Sequence, residues 1–139
     1  MSLYAKIPVD TLPYCFVHGD FTKTNVLKGA DGNIYILDFS VANWYPRIQE
    51  LAIIVANLLH DDGSSLSLCD RAEHVLEMYD KLNPLISEEK QHFYAYVLAG
   101  VAMEFMGGYQ EKFIKGNITE ETEYWLKLGR NGLRKEFNV

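Results

Sequence analysis

Apolar positions in the first third of the chain come in short runs, not at helical intervals. Cys15–His18 (CFVH) and Asn25–Gly29 (NVLKG) are β-type runs. Ala30–Asn33 (ADGN) contains Asp-Gly, a strong hairpin-turn signal. Ile34–Phe39 (IYILDF) is the best strand in the chain, so Asn25–Phe39 reads as a β-hairpin. Residues 4–14 carry Pro8 and Pro13 and no clear period, and read as a lead-in segment.

After Pro46 the period changes. Ile48, Leu51, Ala52, Val55, Leu58 and Leu59 follow helical spacing, and the helix is expected to stop near HDDGSS, where Gly63 and two serines break it. Leu68–Leu82 is a second helix with Ala72, Val75, Leu76 and Tyr79 on one face, ended by Asn83-Pro84-Leu85. Ser87 is placed to cap a third, with Glu88 and Glu89 in a first turn that favours negative charge. That helix runs to about Ile114, with a kink expected at Gly107-Gly108. Thr119 is placed to cap a last helix, from Glu120 to near Lys135. The outline is α+β: a small β region followed by helices, one domain over residues 1–139, with no repeat or low-complexity segment. The MSL start resembles an expression leader, so Met1–Leu3 carry no functional weight.

Composition narrows the function classes. At 48% hydrophobic, the 139 residues can bury a core. A net charge of −6 argues against nonspecific nucleic-acid binding, which needs a basic face. No apolar run approaches the roughly 18 residues of a membrane span, and no signal peptide is apparent. Cys15 and Cys69 lack metal-ligand spacing and read as reduced core thiols of a cytoplasmic protein.

The chemistry lies in the β region. Asp20 follows the first strand, Asn25 opens the hairpin, and Asp38 closes its returning strand. With the turn near Asp31-Gly32, Asn25 and Asp38 lie at similar distances from it, so cross-strand pairing places them side by side. Asp20 approaches the same end. One carboxylate and one amide oxygen suit Mg²⁺, which takes one or two protein carboxylates and fills its octahedron with water and phosphate oxygens. A second carboxylate can orient or deprotonate a hydroxyl. Metal, base and phosphate together give phosphoryl transfer. The competing reading is a set of ordinary turn residues, since a bare His-Gly-Asp can cap any β-to-loop junction.

HGDFTKTNVL followed by ILDF resembles the aminoglycoside phosphotransferase and choline kinase-like family, relatives of the protein kinases. Their catalytic loop reads His-Gly-Asp, four residues, then Asn, with a strand ending in Asp after it. The resemblance implies a mainly helical C-terminal lobe of a protein-kinase-like fold, its small β-hairpin carrying the catalytic loop. It implies Asp20 as catalytic base, Asn25 and Asp38 as Mg²⁺ ligands, and His18 as a structural member of the loop. Lys23 is a candidate nucleotide-phosphate contact, one position later than the protein-kinase loop lysine. The implied reaction moves the γ-phosphate of ATP or GTP to a hydroxyl of a small molecule. YPRIQELA (Tyr45–Ala52) resembles the family segment in which an acid and Leu-Ala open a helix. Here the acid is Glu50 where Asp is expected.

Nothing in the sequence matches the N-terminal lobe of such an enzyme: no Gly-rich strand-turn-strand and no strand lysine with a helix glutamate. The chain is therefore expected to be a C-terminal lobe or a truncated relative, inactive alone. It is expected to expose the apolar surface that faced the missing lobe, and a homodimer is one way to cover it. Asn43 and Trp44 follow the Asp38 strand and are weighed as acceptor-pocket residues against plain packing. Glu104, Glu111 and Glu123 are acids that would meet a cationic acceptor. His60, Asp61 and Asp62 read as a solvated helix end, and His74 and His92 as surface or satisfied core residues. The rival reading is a kinase-like binding domain without catalysis. A third is an unrelated α+β domain with chance turn residues. The acceptor and the choice of ATP or GTP have no local signature.

Overall fold

The computed structural model describes residues 7–60, 63 and 65–137, and side chains as far as Arg134. The described residues form two compact units, divided between Val97 and Leu98. The fold is α+β.

The first unit begins with a 3-10 turn, Val9–Thr11, and then β1, Tyr14–Val17. A second 3-10 turn, Lys23–Asn25, leads into β2, Val26–Lys28, and the hairpin returns as β3, Ile34–Ile36. The ADGN turn closes as its residues dictate. Asn33 N–H donates to Asp31 Oδ1 at 3.0 Å, and Gly29 N–H donates to the Asn33 carbonyl at 2.8 Å. β3 is shorter than the expected strand, ending at Ile36 and leaving Leu37–Phe39 in irregular backbone.

A strand follows that the sequence did not announce. β4, Asn43–Pro46, pairs antiparallel with β1, setting Tyr14 opposite Pro46, Phe16 opposite Trp44 and Val17 opposite Asn43. The loop after His18 and the segment after Asp38 are thus tied at both flanks, by β1–β4 and by β2–β3.

α1, Ile48–Ile53, runs on as a π turn over Ile54–Leu58. Its apolar spacing is that of a core-facing helix, and Ile48, Leu51, Ala52, Val55 and Ala56 are buried. Of the expected HDDGSS stop, Asp61, Asp62 and Ser64 lie outside the described residues. α2, Leu68–Leu82, has the bounds its period predicts. Ser67 caps it with a capping box, its Oγ accepting from Asp70 N–H at 3.1 Å while Asp70 Oδ2 accepts from Ser67 N–H at 2.7 Å. α2 packs on α1 and its π turn. Cys69 is exposed and Cys15 half-buried, so neither thiol belongs to the core, contrary to expectation. The apolar stripe of α2 runs through Leu68, Ala72 and Val75, and Cys69 falls beside it.

α3, Ser87–Tyr109, carries the division between the units, and its first half buries Phe93, Tyr96 and Val97. Ser87 is its first helical residue.

In the second unit α3 continues as a π turn, Gln110–Ile114, and α4 spans Glu120–Phe137. Thr119 caps α4 as expected, its Oγ1 accepting from Thr122 N–H at 3.1 Å. Gly108 serves close packing: a Cβ there would lie 3.1 Å from Leu126 and Trp125 atoms. Gly129 is tighter, with an added Cβ 2.3 Å from Phe105 Cβ, so α3 and α4 meet with no room for a side chain. Among the described residues, no helix is long and apolar enough to cross a membrane.

Candidate active site

β1 delivers His18 to the core, where it is 6% exposed. Its Nδ1 accepts from the Asp20 N–H at 3.2 Å, so Nε2 carries the ring proton and donates to the Leu37 carbonyl at 2.7 Å. The ring also lies against Phe39, centroids 4.5 Å apart, and edge-on to Phe21 at 5.7 Å. One histidine thereby ties the loop containing Asp20 to the segment containing Asp38. This is the structural role the family resemblance implies for it.

Gly19 has φ +83°, and a Cβ there would sit 2.9 Å from the Val41 carbonyl oxygen. Only glycine fits both the left-handed turn and the close backbone. Its N–H donates to Glu50 Oε2 at 2.9 Å. Glu50 Oε1 is buried and has no hydrogen-bond partner among the described residues.

Asp20 is half-buried and heavily constrained. Its carbonyl accepts from Thr22 N–H at 2.8 Å and from Asn25 Nδ2 at 3.0 Å. Its carboxylate Oδ2 accepts from the same Nδ2 at 2.8 Å. Asn25 is itself buried, held by its N–H on the Thr22 carbonyl and by Leu37 N–H on its own carbonyl. The five-residue interval from Asp20 to Asn25 is thus a closed turn.

The hairpin register corrects one expectation. Val26 faces Ile36 and Lys28 faces Ile34, so Leu37, not Asp38, stands opposite Asn25. Asp38 is the next residue along. It adopts φ 57°, the left-handed region, and is the single non-glycine to do so among the described residues. A non-glycine held there costs of order 1–3 kcal/mol, and such strain collects at functional sites. The turn pulls the carboxylate out of the ladder, and Oδ1 accepts from Ser40 N–H at 3.1 Å. The Ser40 side chain and then its N–H hold the Asp38 carboxyl below the usual carboxylate range.

Lys23 Nζ is seated on the His60 carbonyl oxygen, beyond the π turn of α1. Asn43 bonds locally, its Oδ1 accepting from Trp44 N–H at 2.8 Å, while Trp44 is 62% exposed. Glu111 is paired with Lys115 and Glu123 with Lys112, so two of the acids considered for a cationic acceptor already have cations. The sequence reading missed the partners of Glu50 and Arg47. Glu50 reaches back 31 residues to Gly19. Arg47 grips the fully buried Glu89, 42 residues on, through Nε and Nη2 at 2.7 Å each.

Asn25 and Asp38 are the residues that could hold Mg²⁺. Asn25 turns Nδ2 to Asp20, which leaves its neutral Oδ1 for another ligand, and Asp38 keeps an ionised, exposed carboxylate. One carboxylate and one amide oxygen match an ion that retains waters and phosphate oxygens.

A His-Gly-Asp loop closed by an asparagine, with a hairpin returning to an aspartate on a helical body, is a loop of the protein-kinase kind. A model of the phosphotransferase enzyme family matches residues 3–85, more than half of the chain, and the chain belongs to that family. No curated protein and no solved structure gives a significant match.

Proposed function

We propose that this chain is the acceptor-binding and catalytic lobe of a nucleotide-dependent small-molecule O-phosphotransferase. The observation that carries the reading is the pair of hydrogen bonds that Asn25 Nδ2 donates to the carbonyl and the carboxylate of Asp20. It fixes the carboxylate beside an amide oxygen suited to a hard cation. Asp20 accepts the proton of the acceptor hydroxyl as that oxygen bonds to the γ-phosphorus. The bond from that phosphorus to the β-phosphate oxygen breaks, and the nucleoside diphosphate leaves. Asn25 and Asp38 hold Mg²⁺, which supplies charge neutralisation to the phosphates when bound. His18 and Glu50 keep the loop in register from either side. The donor is ATP or GTP, and the acceptor is a hydroxyl-bearing small molecule.

Phe16, Leu27, Ile34, Ile36, Leu37 and Phe39 are 41–65% exposed. An apolar surface of that extent around a catalytic loop supports a partner lobe that covers it and closes over the nucleotide. On this reading the 139 residues alone turn over little or no substrate, and pairing of two copies through the same face is the alternative cover.

The test is nucleoside-diphosphate release by the chain joined to such a lobe, over a panel of hydroxyl metabolites and amino sugars, beside an Asp20→Asn control. Acceptor-dependent release that falls about 10²–10⁴-fold in the control supports the reading. Mg²⁺-nucleotide binding with no turnover on any acceptor moves the assignment to a non-catalytic kinase-like binding domain.

A further inference from the structure

α1 begins without the side chain that usually secures a helix start. The residue at its N-cap is Arg47, which makes no side-chain cap hydrogen bond, where Ser, Thr, Asp or Asn is the common choice. The start is fixed from outside instead. The Arg47 N–H donates to the Pro13 carbonyl at 3.0 Å, tying it to the residue before β1. The guanidinium donates through Nε and Nη2 to the two oxygens of Glu89 at 2.7 Å, and through Nη2 to the Pro84 carbonyl at 2.8 Å. Glu89 has 0% side-chain exposure, and its Oε2 also accepts from the Ile86 N–H at 2.9 Å.

A buried ion pair of this kind is poor evidence of stabilisation, since apolar residues of similar volume often serve as well or better. Its best-attested use is to fix registry. What the registry serves here is visible three residues on. Glu50, in the first turn of α1, holds the Gly19 N–H through a single oxygen at 2.9 Å, and its other oxygen bonds nothing described. One bond that long-ranged tolerates little displacement of the helix that carries it.

We infer that the Arg47–Glu89 pair is a positioning device for the catalytic loop: it sets where α1 begins and so holds the Glu50 carboxylate on Gly19, next to Asp20. The line of force runs Glu89, Arg47, first turn of α1, Glu50, Gly19, Asp20. The inference deepens the kinase reading above, but its first test is independent of catalysis.

That test is backbone amide hydrogen exchange by NMR on the 139-residue chain, native and carrying Arg47→Lys or Glu89→Gln. Lysine keeps the charge and loses the two-pronged geometry. The expected result is Gly19 exchange accelerated at least about tenfold while Ala72 and Val75 in α2 are unchanged, the factor being that of one lost hydrogen bond. Gly19 exchange that is unchanged, or that accelerates in step with α2, overturns the inference, because either shows a merely structural pair. If neither variant folds, the native chain decides: Gly19 N–H must be no better protected than the Arg47 Nε–H, and a far better protected Gly19 overturns it. In the lobe-joined enzyme, Arg47→Lys is expected to lower kcat about 10- to 100-fold with the nucleotide KM unchanged, as for a misplaced reacting group. A raised KM at constant kcat counts against positioning. Local loosening of Gly19 without any turnover in the native enzyme would uphold the positioning and overturn the kinase reading alone.

Discussion

Asn25 Nδ2 stands 2.8 Å from Asp20 Oδ2 and 3.0 Å from the Asp20 carbonyl, so one buried amide group holds both ends of the same aspartate. Replacing it with leucine keeps the volume and removes the donor. Asn25→Leu is expected to cost about 1–3 kcal/mol, the penalty of leaving a part-buried polar group unsatisfied. Urea unfolding of the chain checks it. Asn25→Asp is expected to cost more, because two carboxylates would then face each other at hydrogen-bond distance.

Gly19 allows a prediction of the opposite kind, by addition. Gly19→Ala meets the left-handed φ of +83° and the Val41 oxygen at 2.9 Å. A loss of about 1–3 kcal/mol is expected in the same unfolding assay. An alanine tolerated without loss would mean that the loop has another conformation.

His18→Phe tests whether the ring acts by packing or by hydrogen bonding. Phenylalanine preserves the contacts with Phe21 and Phe39 and deletes the bonds to Asp20 N–H and the Leu37 carbonyl. A destabilisation of about 1–3 kcal/mol is expected, read as a shift of the thermal midpoint.

Asp38 gives a pH prediction. Its carboxyl is held low first by the Ser40 side chain and then by the Ser40 N–H. The hydrogen bonds therefore contribute stability above the ordinary carboxylate pKa, and lose it as pH falls through the lowered value. Ser40→Ala is expected to raise the Asp38 pKa in a ¹³C carboxyl titration. Asp31, lowered first by Tyr35 and then by Asn33, is the internal control and should respond to Tyr35→Phe but not to Ser40→Ala.

Gly129→Ala is expected to destabilise by about 1–3 kcal/mol, because its methyl group would lie 2.3 Å from Phe105 Cβ. Calorimetry measures it directly. Gly107→Ala makes the comparison, since nothing lies within 4 Å of a Cβ there.

How much of this was legible depended on the range of each interaction. α2 could be read to the residue because its signals are local, an apolar stripe and the Asn83-Pro84-Leu85 stop. The turn from Asp20 to Asn25 was legible as a spacing, and the structure brings the two side chains together. β4 was not legible, because Asn43, Trp44 and Tyr45 are all exposed and give no alternation to detect. The Asn25–Asp38 register missed by one, since β-strand pairing depends on where a turn closes, which a dipeptide signal fixes only loosely. The bonds from Glu50 to Gly19 and from Arg47 to Glu89 span 31 and 42 residues and leave no periodic trace.

The left-handed turn at Asp38 also limits how far a sticky edge can grow. Ile34, Tyr35, Ile36, Leu37 and Phe39 are exposed and rich in β-forming side chains, the composition of a segment that recruits further strands. A charged residue at φ 57° ends the pleat after Ile36 and keeps Phe39 out of line with it. Relaxing that residue into extended backbone, as a β-branched substitution would, lengthens the free strand and opens a route to fibrils. The aspartate proposed as a cation ligand is thus also expected to act as a gatekeeper against self-assembly.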